Sequence, residues 1–437
     1  MLLIFTSAYP VPSRLAYSVK VIANLLGINS YRFTNDEVAY AKAENVVKIS
    51  YNKSPIIANA LWIRPHDLLF ESGIQQQKID TVGEGKQLYF FETNGQFPFD
   101  IFAATFYLIT RYEEYLTHEK DSYGRYAHTE SLAYKCNFLS IPLVNYWVKY
   151  LKEQLEQKGF LLNIPSEDFQ FIPTYDVDIA FQYAAQPWYK IASSILKHTV
   201  KGNFSAISEI YKVLLGKKKD AFNVFEWLTQ LHSKYKLTPI YFFLLAKRRA
   251  KYDKNNSCDS KAFQQFIQGQ ATVNMLGIHP SYQAANNEYL LQEEVKFLEK
   301  VIGKKVTKSR HHYVKITLPQ TYESLHQLGI AADYSMGYGS INGFRASIAS
   351  AYEWYNLASE TATSLTIYPF CFMDANSHFE QHFSAKQAGQ ELQYYYHTCK
   401  EVNAPCISIF HNHFLVDDAY WQPWRNMYES FLYKNLP

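Results

Sequence analysis

Apolar positions along this chain recur with two periods. Residues 2–6 read as a buried strand, after which Leu15, Val19, Ile22 and Leu25 repeat at intervals of three or four up to Gly27. That order predicts a buried strand followed by a helix that glycine stops. Residues 61–64 form a second strand candidate. After Pro98, Asp100 stands as the N-cap of a helix over 101–115, with Phe102, Phe106 and Ile109 on one face and Arg111, Glu113 and Glu114 turned outward. A further helix covers 142–158. Gly159 ends it and Pro165 follows, which places a domain boundary near 160–168.

Beyond that boundary, short buried runs alternate with helical stretches. The runs are 171–175, 239–245, 273–278, 330–334, 365–372 and 407–410; between them Leu291, Val295, Leu298 and Ile302, or Ala388, Leu392, Tyr396 and Cys399, step by three or four. Such alternation predicts an α/β fold on a parallel sheet, with a (β/α) barrel over 166–437 and a smaller α/β domain over 1–165. In such barrels chemistry sits at the C-terminal ends of the strands. That rule selects Asp176, Asp178, His279, Asp333, Asp374, His411 and His413.

Composition narrows this picture. With 437 residues, 48% of them hydrophobic, the chain is too long for one ordinary core and too apolar to be disordered. A net charge of +3, with lysines and arginines spread along the chain, argues against a nucleic-acid surface, and the run Lys217, Lys218, Lys219 reads as a solvated loop. The N-terminus lacks a basic segment and a signal-length apolar run, so a cytoplasmic protein is expected. No stretch reaches transmembrane length, which leaves peripheral membrane association open. Five cysteines without a paired short spacing point to reduced thiols and away from a cysteine-based zinc site. The 36 tyrosines suit either packed cores or sugar-binding faces.

Three segments could carry chemistry. Asp176 and Asp178, one residue apart on an extended strand, point the same way and could share a cation and a water, or could cap and turn the chain. His279 ends an apolar strand, as a zinc ligand or as a satisfied structural group. His411 follows the run 407–410, where it could protonate a leaving amine.

The series Thr174-Tyr-Asp176-Val-Asp178, His279-Pro-Ser-Tyr, Ser309-Arg310-His-His-Tyr313 and Ile407-Ser-Ile-Phe-His411 resembles the motifs of polysaccharide deacetylases of the NodB-homology superfamily. The resemblance implies Asp176 as general base, Asp178 and His279 as ligands of a divalent metal such as zinc, Arg310 and Tyr313 as groove residues, and His411 as general acid. Family members carry a second histidine four residues after the first, where this chain has Gln283, a poor zinc ligand. The third ligand is then His311, His312 or His413, or else the site binds metal loosely or has lost catalysis.

Residues 100–106, 111–115, 333–338, 343–345 and 372–374 resemble a bacterial subgroup that joins this barrel to an N-terminal α/β domain of uncharacterised function. Arg345 and Asp374 are candidates to contact substrate or to orient a ligand or base. The function implied is metal-dependent hydrolysis of an amide, not a peptide, bond: removal of an N-acetyl group from a saccharide or lipid-linked sugar. The alternative is a degenerate barrel that binds saccharide or serves assembly. A glycoside hydrolase with paired carboxylates fits poorly, because Asp176 and Asp178 lie too close in sequence.

Overall fold

The computed structural model describes residues 1–160, 162, 169–248 and 250–437; the boundary expected at 165/166, with Pro165, lies outside the described residues. Four short strands open the chain: β1 (Leu2–Phe5), β2 (Tyr31–Thr34), β3 (Val47–Tyr51) and β4 (Leu61–Ile63). They form a parallel sheet in the order β2-β1-β3-β4. The helix Ser13–Leu25 crosses between β1 and β2 and buries Leu15, Val19 and Ile22, the stripe its spacing predicts.

Asp100 caps the helix Ile101–Ile109, its Oδ1 accepting the amides of Phe102 and Ala103, each at 3.0 Å. This helix ends earlier than its pattern predicts. Arg111 takes a left-handed conformation, φ 56° and ψ 44°, and a 3-10 turn follows over Tyr112–Tyr115. Arg111 and Glu114, expected to face outward, are instead buried. Their partner explains the reversal: Arg345 donates to Glu114 from Nε at 2.8 Å and from Nη2 at 2.5 Å, while Arg111 donates to it from Nε at 2.7 Å. Local periodicity carries no sign of a partner 231 residues away.

The second sheet contains β5 (Phe171–Val177), β6 (Ile240–Leu244), β7 (Met275–His279), β8 (Lys308–Ser309), β9 (Ala332–Asp333), β10 (Tyr352–Asn356), β11 (Thr361–Ile367), β12 (Phe372–Met373) and β13 (Cys406–His411). Its order is β10-β11-β9-β8-β7-β6-β5-β13-β12. Every neighbouring pair is parallel except the hairpin β10/β11. The run expected as one strand over 365–372 is divided: β11 pairs with β9 and β12 with β13. Pro369 lies in the gap, where its missing N–H cannot serve a ladder. Val273 ends the helix Lys261–Val273 rather than opening β7.

One apolar cluster runs through both sheets and includes Leu2, Phe106, Tyr355 and Leu432. The hairpin joins the halves: Tyr355 packs on Tyr17 and Phe106 at ring distances of 4.9 and 5.1 Å. All five cysteines are free. Although their spacing pointed away from a thiol site, the fold brings Cys371, Cys399 and Cys406 together, with sulfurs within 4.8 Å of one another. Among the described residues no helix is long and apolar enough to cross a membrane.

Candidate metal and acid-base site

The C-terminal ends of β5, β7 and β13 carry the polar groups. Asp176 lies on β5 directly across the ladder from His411 on β13, and His279 ends β7. Gly277 is needed below this level, because a Cβ there would meet the Phe242 ring at 2.5 Å. That ring in turn lies under the Arg310 guanidinium, 4.5 Å from its centroid.

Asp178, His279 and His312 converge, their ligand atoms all within 4.8 Å of one another. His279 Nε2 stands 3.4 Å from Asp178 Oδ1, and His312 Nε2 stands 3.6 Å from Asp178 Oδ2. Each imidazole has its other nitrogen committed. His279 Nδ1 bonds the Arg310 carbonyl, and His312 Nδ1 bonds Asp253 Oδ1 at 3.0 Å. This fixes the tautomers so that both Nε2 atoms can offer lone pairs toward the same carboxylate. Among the described residues, His279 Nε2 and Asp178 Oδ1 are buried without a hydrogen-bond partner. Orphaned acceptors facing each other are costly unless a cation sits between them, and two imidazoles with a carboxylate form a zinc-type donor set.

Of the three histidines left open as a third ligand, His312 joins the cluster. His311 is adjacent in sequence, but burial pushes it down to about 3 and its ring nitrogens lie outside the cluster. His413 packs its ring against those of His411 and Phe222. Gln283, in the position where a ligand was expected, directs its amide nitrogen to the Arg248 carbonyl at 3.3 Å.

Two further groups flank the trio. Asp176 accepts Arg310 Nη1 at 3.0 Å on Oδ1, and its Oδ2 lies 3.7 Å from His279 Nε2. Arg310 also donates to Thr174 Oγ1 at 2.7 Å and to the Tyr334 carbonyl at 3.0 Å. His411 is gripped by Asp374, which accepts its Nδ1 and its backbone amide, both at 2.7 Å. Burial alone would lower the imidazole, but the Asp374 carboxylate, helped by Asp178 and Asp176, pushes it up to about 9. Likewise burial opposes charge on both Asp178 and His312, yet their attraction holds the carboxyl well below its usual range and raises the imidazole to about 10, so that a cation held there would displace the His312 Nε2 proton.

Tyr313 adjoins this cluster in a left-handed conformation, φ 59°, and Val314 follows at φ 54°. Non-glycine residues pay for such geometry, and here a neighbour holds it. Arg125, from the N-terminal half, donates Nη1 to the Tyr313 carbonyl at 2.9 Å and is itself held by Asp121 at 2.7 Å. Gly339 gives the guanidinium room, since a Cβ there would collide with its Nη1. Tyr123 brings a ring within 5.1 Å of that of Tyr313, and Tyr252 and Tyr282 complete a half-buried aromatic wall.

Arg345 is not among the groups brought to the cluster: its partners are Glu114 and the Gly337 carbonyl. Asp253 and Arg125 escaped the sequence reading. Asp253 lies in a polar coil without periodicity, and Arg125 reaches the site only through tertiary contact.

Residues 2–160 match the profile of a family of unknown function (DUF7033). No curated protein sequence matches the chain. Among solved structures, it is similar to a putative polysaccharide deacetylase from Mycobacterium smegmatis, with 12% identity and a TM-score of 0.38 over 61% of this chain and 85% of that one. A probable polysaccharide deacetylase from Pseudomonas aeruginosa PAO1 gives 12% identity and a TM-score of 0.37, over 60% of this chain and 84% of that one. Puue allantoinase gives 12% identity and a TM-score of 0.37, over 60% and 83%. The one family match thus covers residues 2–160.

Proposed function

We propose that this chain is a metal-dependent hydrolase that removes an N-acetyl group from a saccharide or lipid-linked sugar, on a C-terminal (β/α) barrel closed where residues 361–373 pass from β9 to β13. The observation that carries the reading is the donor set of Asp178, His279 and His312, whose ligand atoms lie within 4.8 Å of one another, beside the Asp176 carboxylate and the His411 imidazole held by Asp374. When bound, a zinc ion there supplies a Lewis acid for the acyl oxygen and lowers the pKa of water toward neutrality.

The chain's own residues do the rest. Asp178 and the Nε2 atoms of His279 and His312 hold the cation. Arg310 occupies Asp176 Oδ1, which leaves Oδ2 to take the proton of the attacking water. Asp374 keeps Nδ1 of His411 engaged, so Nε2 carries the proton that passes to the departing amine nitrogen. The amide C–N bond breaks, giving acetate and an amino sugar. The tyrosines at 123, 252, 282 and 313 offer flat faces against which a pyranose ring packs. A barrel that only binds saccharide was suggested by Gln283; with His312 offering a third donor, that motive weakens.

Metal analysis of purified protein, paired with acetate release from N-acetylated oligosaccharides, tests the proposal. One equivalent of zinc is expected, lost in His279→Ala and His312→Ala together with acetate release. Failure to take up metal at saturating zinc, with the fold intact by circular dichroism, would rule the reading out.

A further inference from the structure

Between β5 and β6 the chain forms three helices, of which the first two, Trp188–Val200 and Phe204–Leu214, are joined by three residues. No residue of the first is buried. Trp188 (81% exposed), Leu196 (65%) and Val200 (80%) repeat at intervals of eight and four, with exposed Ala192 between the first two. On the second helix and just past its end, Phe204 (71% exposed), Tyr211 (52%) and Leu215 (67%) follow at seven and four. These are the spacings of a single helical face. Isolated exposed apolar side chains are ordinary, but two successive stripes on one hairpin mark a surface that meets something.

Charge narrows what that is. Residues 188–219 contain seven lysines and one acid, Glu209, which is engaged by Lys218 at 2.5 Å. Lys197, Lys201, Lys212 and Lys217 are exposed beside the stripes. Lysine is depleted in protein–protein interfaces, and a second copy would set one basic face against another. Nucleic acid would satisfy the lysines but leave the apolar stripes in water. An interface rich in anionic lipid satisfies both.

The hairpin is also firmly rooted beside the site. Asp220 accepts the amides of Gln182, Tyr183, Ala184 and Phe222 at 2.7 to 3.1 Å. Asn412, next to His411, donates to the carbonyls of Ile179 and Phe222, both at 3.0 Å.

We propose that the helical pair over 188–215 docks this protein on an anionic bilayer, laying its apolar stripes into the headgroup boundary with the lysines against lipid phosphates. This goes beyond the proposed reaction and does not depend on it.

Sedimentation of the full chain with vesicles tests it. Wild-type protein is expected to pellet with vesicles of phosphatidylcholine and phosphatidylglycerol, to remain in solution with phosphatidylcholine alone, and to bind less as salt rises. Neutralising Lys197, Lys201 and Lys212 to alanine weakens partitioning on the order of a hundredfold, roughly fivefold for each lysine near an anionic surface. The double variant Leu196→Asp, Phe204→Asp loses vesicle binding, while its circular dichroism and its thermal midpoint stay at wild-type values. Wild-type protein left in the supernatant of anionic vesicles overturns the proposal. So does a dimer, seen by sedimentation equilibrium, that the double variant dissolves, since the stripes would then belong to a second copy.

Discussion

Replacing Glu114 by glutamine removes one charge and almost no volume, yet it strikes the contact that ties the two halves together. Glu114 receives three bonds from two buried guanidinium groups, Arg345 and Arg111. Burial works to raise its carboxyl, but Arg345 and then Arg111 outweigh it and bring the group from 4.5 down to about 2. A shift of that size contributes about 3 kcal/mol at neutral pH. Because the folded value is the depressed one, the contribution is complete above pH 4.5 and fades as the pH falls toward about 2. Breaking a buried pair and stranding its partner costs about 3–5 kcal/mol, so two routes give the same magnitude. Glu114→Gln is therefore expected to lower the thermal midpoint by about 3–5 °C at pH 7 and to flatten the acid limb of stability. Glu401→Gln serves as control, since its pair with Lys86 is solvent-exposed and worth less than about 1 kcal/mol. Thermal and urea denaturation followed by circular dichroism decide the matter. Equal losses in the two variants, or superimposable acid limbs for wild type and Glu114→Gln, would refute the reasoning.

Two more outcomes follow from the site. His411 is held near 9 by Asp374 against burial, so its proton is available below that pH and is lost as the pH rises through it; Asp374→Asn should move the alkaline limb of kcat for acetate release to lower pH, toward the unperturbed imidazole at about 6.5, and an unmoved limb would free His411 of the role given to it. Arg125→Ala should weaken zinc affinity, read by isothermal titration, by about 10–100-fold, as loss of an outer-shell support does; unchanged affinity would show that Tyr313 and His312 keep their geometry without the clamp.

What the sequence disclosed followed from locality. Strand ends are marked by apolar runs a few residues long, so Asp176, His279 and His411 could be placed at one rim before any coordinates. Asp100 could be read as a cap for the same reason. The third donor was harder: three histidines were open, and the choice of His312 depends on the left-handed turn at Tyr313 and on Asp253, neither of which leaves a periodic trace. Arg111 and Glu114 were assigned outward because charge on a short helix normally faces water; tertiary neutralisation overrode that rule. The three convergent cysteines come from a loop before β12, a helix and a strand, so no spacing rule could have joined them.

The apolar cluster shared by both sheets bears on how the polypeptide can be divided. A cut between the halves would strip Tyr355 from Tyr17 and Phe106, and would leave Arg14 without Glu360 and Arg345 without Glu114. Each fragment would inherit a sticky face and stranded charges, and should clump or melt when made alone. Mixing the fragments during refolding, rather than after it, is then the route by which they could reassemble.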